Sequence, residues 1–489
     1  MAGPVPELES RADACAERLL AAEDVLLVSH IDADGLTSAA IAASALERAG
    51  IPFEAGFANQ LDAEELERIA ATDYDIVLLT DFGSGQLDLV AEHEAAGDFT
   101  PVVADHHQPA DADTEYHLNP LLEGVDGASE LSGAGAAYVL ARAMEDAETG
   151  GGNGDVDNRD LAALAVVGAV GDMQASGGEL VGANEAIVAE GEAAGVLETG
   201  TDLALYGKQT RPLPKLLEYA SDVYVPGVSN DEAGALRFLD GLDLDLQTDG
   251  DWRRWVDLDD DERQTVASAL VQRAVERGVP ADKIDGLVGT TYTLADEPKG
   301  TELRDASEFS TLLNATARYE RADVGLAVCL GNRDGALDRA RNLLREHRRN
   351  LSAGIERVER EGVTREEHVQ WFHAEDRIRD TIVGIVAGMA LGSDGVDRNR
   401  PIVAFAETDD DSIKVSARGT HALVRRGLDL SVAMHEAAVA VDGEGGGHDV
   451  AAGATIPRGT EAVFIDRVDC LVGEQLDEDP FLLFRLRGR

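Results

Sequence analysis

Lysine is almost missing from this chain. Of 42 basic residues only Lys208, Lys215, Lys283, Lys299 and Lys414 are lysines, set against 94 acidic residues, for a formal net charge of −52. Such a balance ordinarily speaks against the basic footprint of a nucleic-acid binder. Cysteine is scarce too. Cys15, Cys329 and Cys470 lie far apart, which excludes a disulfide framework and zinc-ligand spacing and fits reduced thiols in a cytoplasmic protein. No apolar run approaches the roughly 20 residues of a membrane span, and the N-terminus has no charged-then-apolar signal pattern. A soluble protein without membrane contact is expected.

What is present argues for a folded, multidomain chain. The hydrophobic fraction is 44% over 489 residues, too much for a disordered acidic chain and too long for one ordinary core. Acid-rich, lysine-poor, alanine-rich composition resembles that of cytosolic proteins from extreme halophiles. In molar salt the Debye length is about 3 Å, so distant acidic surface is screened and local arginines decide binding. A nucleic-acid substrate therefore stays open.

Residues 24–180 alternate strand-like and helix-like segments. Strands are expected at Asp24–Ser29, Asp75–Thr80 and Thr100–Ala104, and helices at Gly35–Ala49, Gln86–Ala95, Gly133–Met144 and Asn158–Val170. This is the rhythm of an open parallel sheet, whose ligands gather beyond the carboxyl ends of the strands. Gly150-Gly151-Gly152-Asn153-Gly154 reads as a flexible surface loop within that region. From about 200 the pattern weakens at Arg211–Pro214 and Val225–Gly227. Helices near 262–277 and 336–349, and a strand at Val324–Leu330, are expected there. Beyond about 370 a helix is expected at Thr381–Leu391, strands at Pro401–Ala406 and Ser412–Ser416, and a glycine-rich loop at Gly443–Gly453.

Four acidic loops carry the chemistry. His30-Ile31-Asp32-Ala33-Asp34-Gly35 follows the first strand, with two carboxylates able to face one cation; Asp34 could equally cap the helix. Asp81 follows the second strand and Asp105-His106-His107 the third. Asp172 ends an apolar helix, where a carboxylate is disfavoured by the dipole unless a cation is near. Mixed carboxylate and imidazole donors suit Mn²⁺ better than Mg²⁺. Asp32, Asp34, Asp81, Asp105, His106 and Asp172 suffice for two ions. His107 is either a further ligand or a hydrogen-bond donor to phosphate, and His30 stands at the rim.

Downstream, Ser416-Ala417-Arg418 ends a strand and Gly445-Gly446-Gly447-His448 opens a glycine-rich run. Glycine amides, Arg418 and His448 can donate to phosphate oxygens. His93 and His117 read as surface or core residues and Asn119-Pro120 as a strand-ending turn. Arg345, Arg348 and Arg349 lie on a helix as either a solvated face or a track for a nucleic-acid backbone.

The ordered set His30-x-Asp32-x-Asp34-Gly35, Asp81, Asp105-His106-His107, Gly171-Asp172 resembles the DHH phosphoesterase superfamily. Ser416-Ala417-Arg418 and Gly445-Gly446-Gly447-His448 resemble its DHH-associated domain, and together they resemble the RecJ-like exonuclease branch. Leu303-Arg304-Asp305-Ala306 and Leu312-Leu313-Asn314-Ala315 look like the insert of archaeal RecJ-like, GINS-associated nucleases. The resemblance implies a two-domain clamp with nucleic acid in its groove. It implies metal on Asp32, Asp34, Asp81, Asp105, His106 and Asp172, and substrate phosphate on His107, Arg418 and His448. Bacterial RecJ proteins carry an acidic residue where His30 stands, and no OB-fold is expected after the second domain here.

The expected architecture is α/β: a parallel-sheet DHH domain over 1–200, a mixed middle insert and linker helix over 201–365, and a smaller α/β domain over 366–489. The expected function is a Mn²⁺- or Mg²⁺-dependent exonuclease on single-stranded DNA or RNA that releases nucleoside 5′-monophosphates. Catalysis would rest on Asp105, His107 and His30, and substrate binding on Ser416, Arg418, Gly446, Gly447 and His448. The alternatives are a phosphodiesterase for short oligonucleotides or cyclic dinucleotides, and a scaffold that binds GINS and the replicative helicase.

Overall fold

The computed structural model describes residues 3–148, 157–175, 177–220, 223–393, 395–408 and 412–477. The glycine-rich run at 150–154 lies outside them. The chain forms two compact units, residues 1–341 and 342–489.

In the first unit the order is α1 (Glu9–Leu20), β1 (Val25–His30), α2 (Ala33–Arg48), β2 (Phe53–Ala58), α3 (Ala63–Ala70), β3 (Ile76–Thr80), α4 (Leu87–Ala96), β4 (Thr100–Ala104), β5 (His117–Leu118), α5 (Gly133–Glu148) and α6 (Ala162–Gly171). The five strands form a parallel sheet in the order β2-β1-β3-β4-β5. Their runs Val-Leu-Leu-Val and Ile-Val-Leu-Leu are continuous because a parallel sheet is covered on both faces. Leu26, Val28, Val77, Leu79 and Val103 share one core with Leu66 and Ile69 of α3 and Val90 of α4. Helix α2 is buried along nearly its whole length and packs with α5 and α6. The order 2-1-3 reverses direction beside β1, so the carboxyl ends of β1 and β3 flank a topological switch point.

Two expectations fail here in detail. The edge strand β2 and the short β5 carry no strong apolar run. The segment read as a strand at Val324–Leu330 is helix Ala322–Cys329. Its buried Val324, Gly325 and Val328 lie at helical spacing, and Gly325 packs so closely on Leu36 of α2 that an added Cβ would meet it at 2.6 Å. Further along this unit, Leu197–Leu203 pairs antiparallel with Val288–Leu294. Helix α7 (Ala306–Ala317) packs against α2 and α6.

The second unit contains β6 (Gln370–His373), α8 (Asp380–Ala390), β7 (Ile402–Glu407), β8 (Ser412–Arg418), α9 (Leu430–Val439), β9 (Glu444–Gly447) and β10 (Ala451–Pro457). The strands order as β6-β7-β8-β10-β9, with only β6 and β7 parallel. The expected loop at Gly443–Gly453 is thus a β-hairpin. Gly445 serves close approach rather than looseness: a Cβ on it would lie 2.7 Å from the Met434 carbonyl of α9. Among the described residues no helix is long and apolar enough to cross a membrane.

Candidate metal centre

The carboxyl ends of β1, β3 and β4, with the end of α6, bring every acidic loop residue foreseen in the first unit to one place. Gly35 makes the first turn feasible, since a Cβ there would lie 2.1 Å from the His30 carbonyl oxygen. Asp32 caps α2, its Oδ1 accepting from the Gly35 amide at 3.0 Å. Asp34 is buried and accepts from the Gly133 and Ala134 amides at 2.7 and 3.0 Å, the N-terminal amides of α5. Asp81 holds the left-handed backbone at φ 60°, a conformation uncommon for a side-chain-bearing residue and concentrated at functional sites.

Asp81 has an oxygen for each of two groups. Its Oδ2 lies 3.5 Å from His30 Nδ1, which is also 3.2 Å from Asp32 Oδ2. Its Oδ1 lies 3.4 Å from His106 Nε2, which is 3.8 Å from Asp34 Oδ2. That Oδ1 is buried and makes no hydrogen bond of good geometry among the described residues, His106 Nε2 being its near contact. An orphaned buried carboxylate oxygen is costly unless a cation meets it. His30, Asp32 and Asp81 form one metal-suited group, and Asp34, His106 and Asp172 a second.

The imidazole of His106 is set for ligation. Its Nδ1–H donates to the Gly127 carbonyl at 2.7 Å, so Nε2 is the nitrogen facing Asp34 and Asp81. The same carbonyl accepts from Gln174 Nε2 at 2.9 Å, and Gln174 also donates to Asp172 Oδ2 at 2.9 Å. Gln174 stands two positions after Asp172, yet nothing in the sequence marks it as the group that orients that carboxylate.

Asp105 is engaged by protein donors at both oxygens. Oδ2 accepts from the Ser84 amide at 2.9 Å, and Oδ1 from the His106 amide at 2.7 Å and from His107 Nδ1 at 2.8 Å. Asp105, Asp81, His106 and His107 could also hold an ion together. Behind Asp105, Ser84 Oγ meets His117 Nε2 at 2.9 Å and accepts from Asn119 Nδ2 at 2.9 Å. His117 is therefore a core residue of this brace, and burial drops its pKa to about 4. His93 pairs with Asp98 at 2.8 Å, away from the centre.

The charges are strongly mutual. Burial alone would lower the pKa of His30, but the carboxylates of Asp32 and Asp81 hold it at about 10. Burial likewise opposes protonation of His106, and Asp81, Asp34 and Asp105 outweigh it to give about 11. Burial, then the charges of Asp81 and Asp172, push Asp34 well up. Burial opposes ionisation of Asp105, yet His107 and His106 hold its carboxyl far down. The hydrogen bond to Asp105 raises His107. So much negative charge around Nε2 of His106 suits a divalent cation in place of its proton.

In the second unit, β8 places Ser416 and Arg418 on one side of the strand. Gly384 of α8 leaves them room, since a Cβ there would lie 2.5 Å from Arg418 Nη2 and 3.0 Å from Ser416 Oγ. Arg418 Nη1 donates to the Ala417 carbonyl at 2.9 Å. Gly446 and Gly447 are strand backbone opposite Gly453 and Ala452, and His448 is exposed at the hairpin turn. Arg345, Arg348 and Arg349 lie on helix Gly335–Glu361.

Residues 24–169 match the DHH family N-terminal domain, 205–288 the DHH-CID domain and 368–474 the DHHA1 domain. An uncharacterised protein of Methanocaldococcus jannaschii is 29% identical over 481 residues, 96% of this chain and 98% of its own. The fold is similar to that of exonuclease RecJ bound to manganese, with a TM-score of 0.59 at 18% identity over 99% of both chains. Thermus thermophilus RecJ in complex with Mn²⁺ gives 0.59 at 18% identity, over 97% of this chain and 56% of that one. CDC45 from Entamoeba histolytica gives 0.62 at 12% identity, over 95% and 97%. The chain belongs to the DHH superfamily, with a RecJ-like fold and DHH, DHH-CID and DHHA1 domains.

Proposed function

We propose that this protein is a metal-dependent phosphodiesterase that shortens single-stranded DNA or RNA from an end, releasing nucleoside 5′-monophosphates. The observation that carries it is the convergence of two groups of donors on buried Asp81, one at each of its carboxylate oxygens, at the strand ends. His30, Asp32 and Asp81 would hold one Mn²⁺ or Mg²⁺ ion, and Asp81, Asp34, His106 and Asp172 a second. Ions bound there supply Lewis-acid charge for a phosphate and acidify a water. Asp105, though a further possible ligand, is best used as the brace that aims His107. His107, whose side chain is 55% exposed, donates to a phosphate oxygen or protonates the leaving oxygen. Ser416, Arg418, Gly446, Gly447 and His448 are proposed to bind substrate phosphates.

A scaffold that binds GINS and a replicative helicase is the rival reading, favoured by the fold likeness to CDC45. A scaffold has no use for metal-suited groups meeting at one buried carboxylate. End-labelled single-stranded DNA and RNA, with dinucleotides, are incubated with Mn²⁺ in high salt beside Asp81→Asn. Progressive shortening by the wild type alone is expected. Cleavage of dinucleotides only would make the enzyme an oligonucleotide phosphodiesterase, and no metal-dependent cleavage of any substrate would leave the scaffold.

A further inference from the structure

Beside the metal-suited centre opens a cavity of about 670 Å³, entirely within the first unit, which shares His30, Asp81, Asp105 and His107 with that centre. Its remaining walls have a different chemistry. Asn59 and Gln60 line it from the loop after β2, Gln86 from the turn before α4, and Gln108 from the residue after His107. None of these four carboxamides has a hydrogen-bond partner among the described residues. Apolar surface comes from Phe82 and Leu61, both buried. No lysine or arginine lines it.

That combination selects a ligand class. A phosphate calls for cationic donors; the imidazoles on this wall, His30 and His107, belong to the metal-suited centre, and Asp62 adds a carboxylate to the rest. Carboxamides offer paired donors and acceptors of the kind that read the edge of a heterocyclic base. An apolar floor suits the face of a base, and the volume is in the range of small-molecule pockets, about 300–1,000 Å³. We infer that this cavity receives the nucleoside, base foremost, of the terminal nucleotide whose phosphodiester lies at the centre. This rests on the phosphodiesterase reading and adds a determinant to it. Because Asn and Gln amides can present either donor or acceptor, all bases are accommodated, and a terminus without a base is disfavoured.

The test uses the full chain with Mn²⁺ and two variants, Asn59→Ala with Gln108→Ala, and Gln86→Leu. None of these positions belongs to the metal-suited groups. Substrates are single strands ending in a normal nucleotide or an abasic tetrahydrofuran unit, and bis(p-nitrophenyl) phosphate. The wild type is expected to prefer the base-bearing end by about tenfold in kcat/KM, or about 1.4 kcal/mol. The variants are expected to lose that preference through KM while hydrolysing the abasic strand and bis(p-nitrophenyl) phosphate as before. Equal wild-type rates on both ends, or variants slowed equally on all substrates, would overturn the inference. If no phosphodiester is cleaved, the phosphodiesterase reading itself falls. Metal-free titration with nucleoside 5′-monophosphate against ribose 5-phosphate then decides the pocket alone: preference for the nucleotide, lost in the variants, supports it, and equal binding overturns it.

Discussion

The side chain of Asn314 accepts a hydrogen bond from the Ala33 backbone N–H at 3.1 Å, across 281 residues of sequence. Ala33 sits between Asp32 and Asp34, so helix α7 grips the loop that presents both carboxylates. Gly171 reinforces the grip, since a Cβ there would meet Ala33 at 2.9 Å and Ser310 of α7 at 3.2 Å. Asn314→Ala is expected to strand a first-turn amide of α2, costing about 1–3 kcal/mol, and to raise the Mn²⁺ concentration for half-maximal activity several-fold. Asn314→Asp, which keeps an acceptor, should restore most of the metal dependence. Unchanged Mn²⁺ titration in the alanine variant would remove the positioning role.

Asp81→Asn separates charge from backbone. Asparagine tolerates the left-handed conformation that Asp81 adopts, so the fold should persist. Removing one of several crowded carboxylates should leave the metal-free melting temperature equal or higher. The rise in melting temperature on adding Mn²⁺ should shrink sharply, and activity should fall at least 100-fold. Calorimetric melts with and without Mn²⁺ decide it; an undiminished metal-induced rise would show that Asp81 holds no ion.

His107 and its brace should part company in stability. His107 is the exposed member and the Gln amide can still donate to Asp105, so His107→Gln should cost no more than about 1 kcal/mol while lowering turnover about 100- to 10,000-fold. Asp105→Asn turns an amide group towards either the Ser84 N–H or the cluster of donors on Oδ1. A loss of about 1–3 kcal/mol is expected from that mismatch, read by urea denaturation. Equal stability losses in both variants would contradict the division of roles.

Glu308 gives a pH signature away from the centre. Burial, only partly offset by the hydrogen bond from Thr210, pushes its carboxyl up to about 7 from 4.5. Below pH 4.5 both folded and unfolded chains hold the proton and the contribution is complete. Between 4.5 and 7 the folded chain holds the proton that the unfolded chain has released, so stability falls as pH rises. At about 1.4 kcal/mol per pH unit the loss is on the order of 3 kcal/mol. Glu308→Gln, which mimics the protonated form, should flatten that slope when denaturation is compared at pH 5 and 7.5.

The legible parts of this protein were those written locally. Continuous apolar runs announced β1, β3 and β4, and an acidic loop directly after each announced the centre. What escaped was written across distance. Strand β5, only His117–Leu118, is defined by pairing to β4 rather than by its own pattern. The Val324–Leu330 run looked extended because β-branched residues favour strands, and packing on α2 overrode that preference. Glycines at 443–447 suggested looseness, where the structure packs Gly445 against α9. Asn314, Gln174 and Gly127 act through partners that no spacing rule connects. His30 reaches Asp81 only because β1 and β3 are neighbours.

Asp34 and Asp81, each no more than 3% exposed and close enough for the charge of Asp81 to push the Asp34 pKa up, make the ion-free state a costly one to maintain. Every ion bound to the folded chain alone stabilises it, by about 2.7 kcal/mol at a hundred times its dissociation constant. Chelation would then do more than silence the centre. It would enlarge the fraction of chains open to proteases, so that the survival of this protein in a cell follows the local supply of divalent metal.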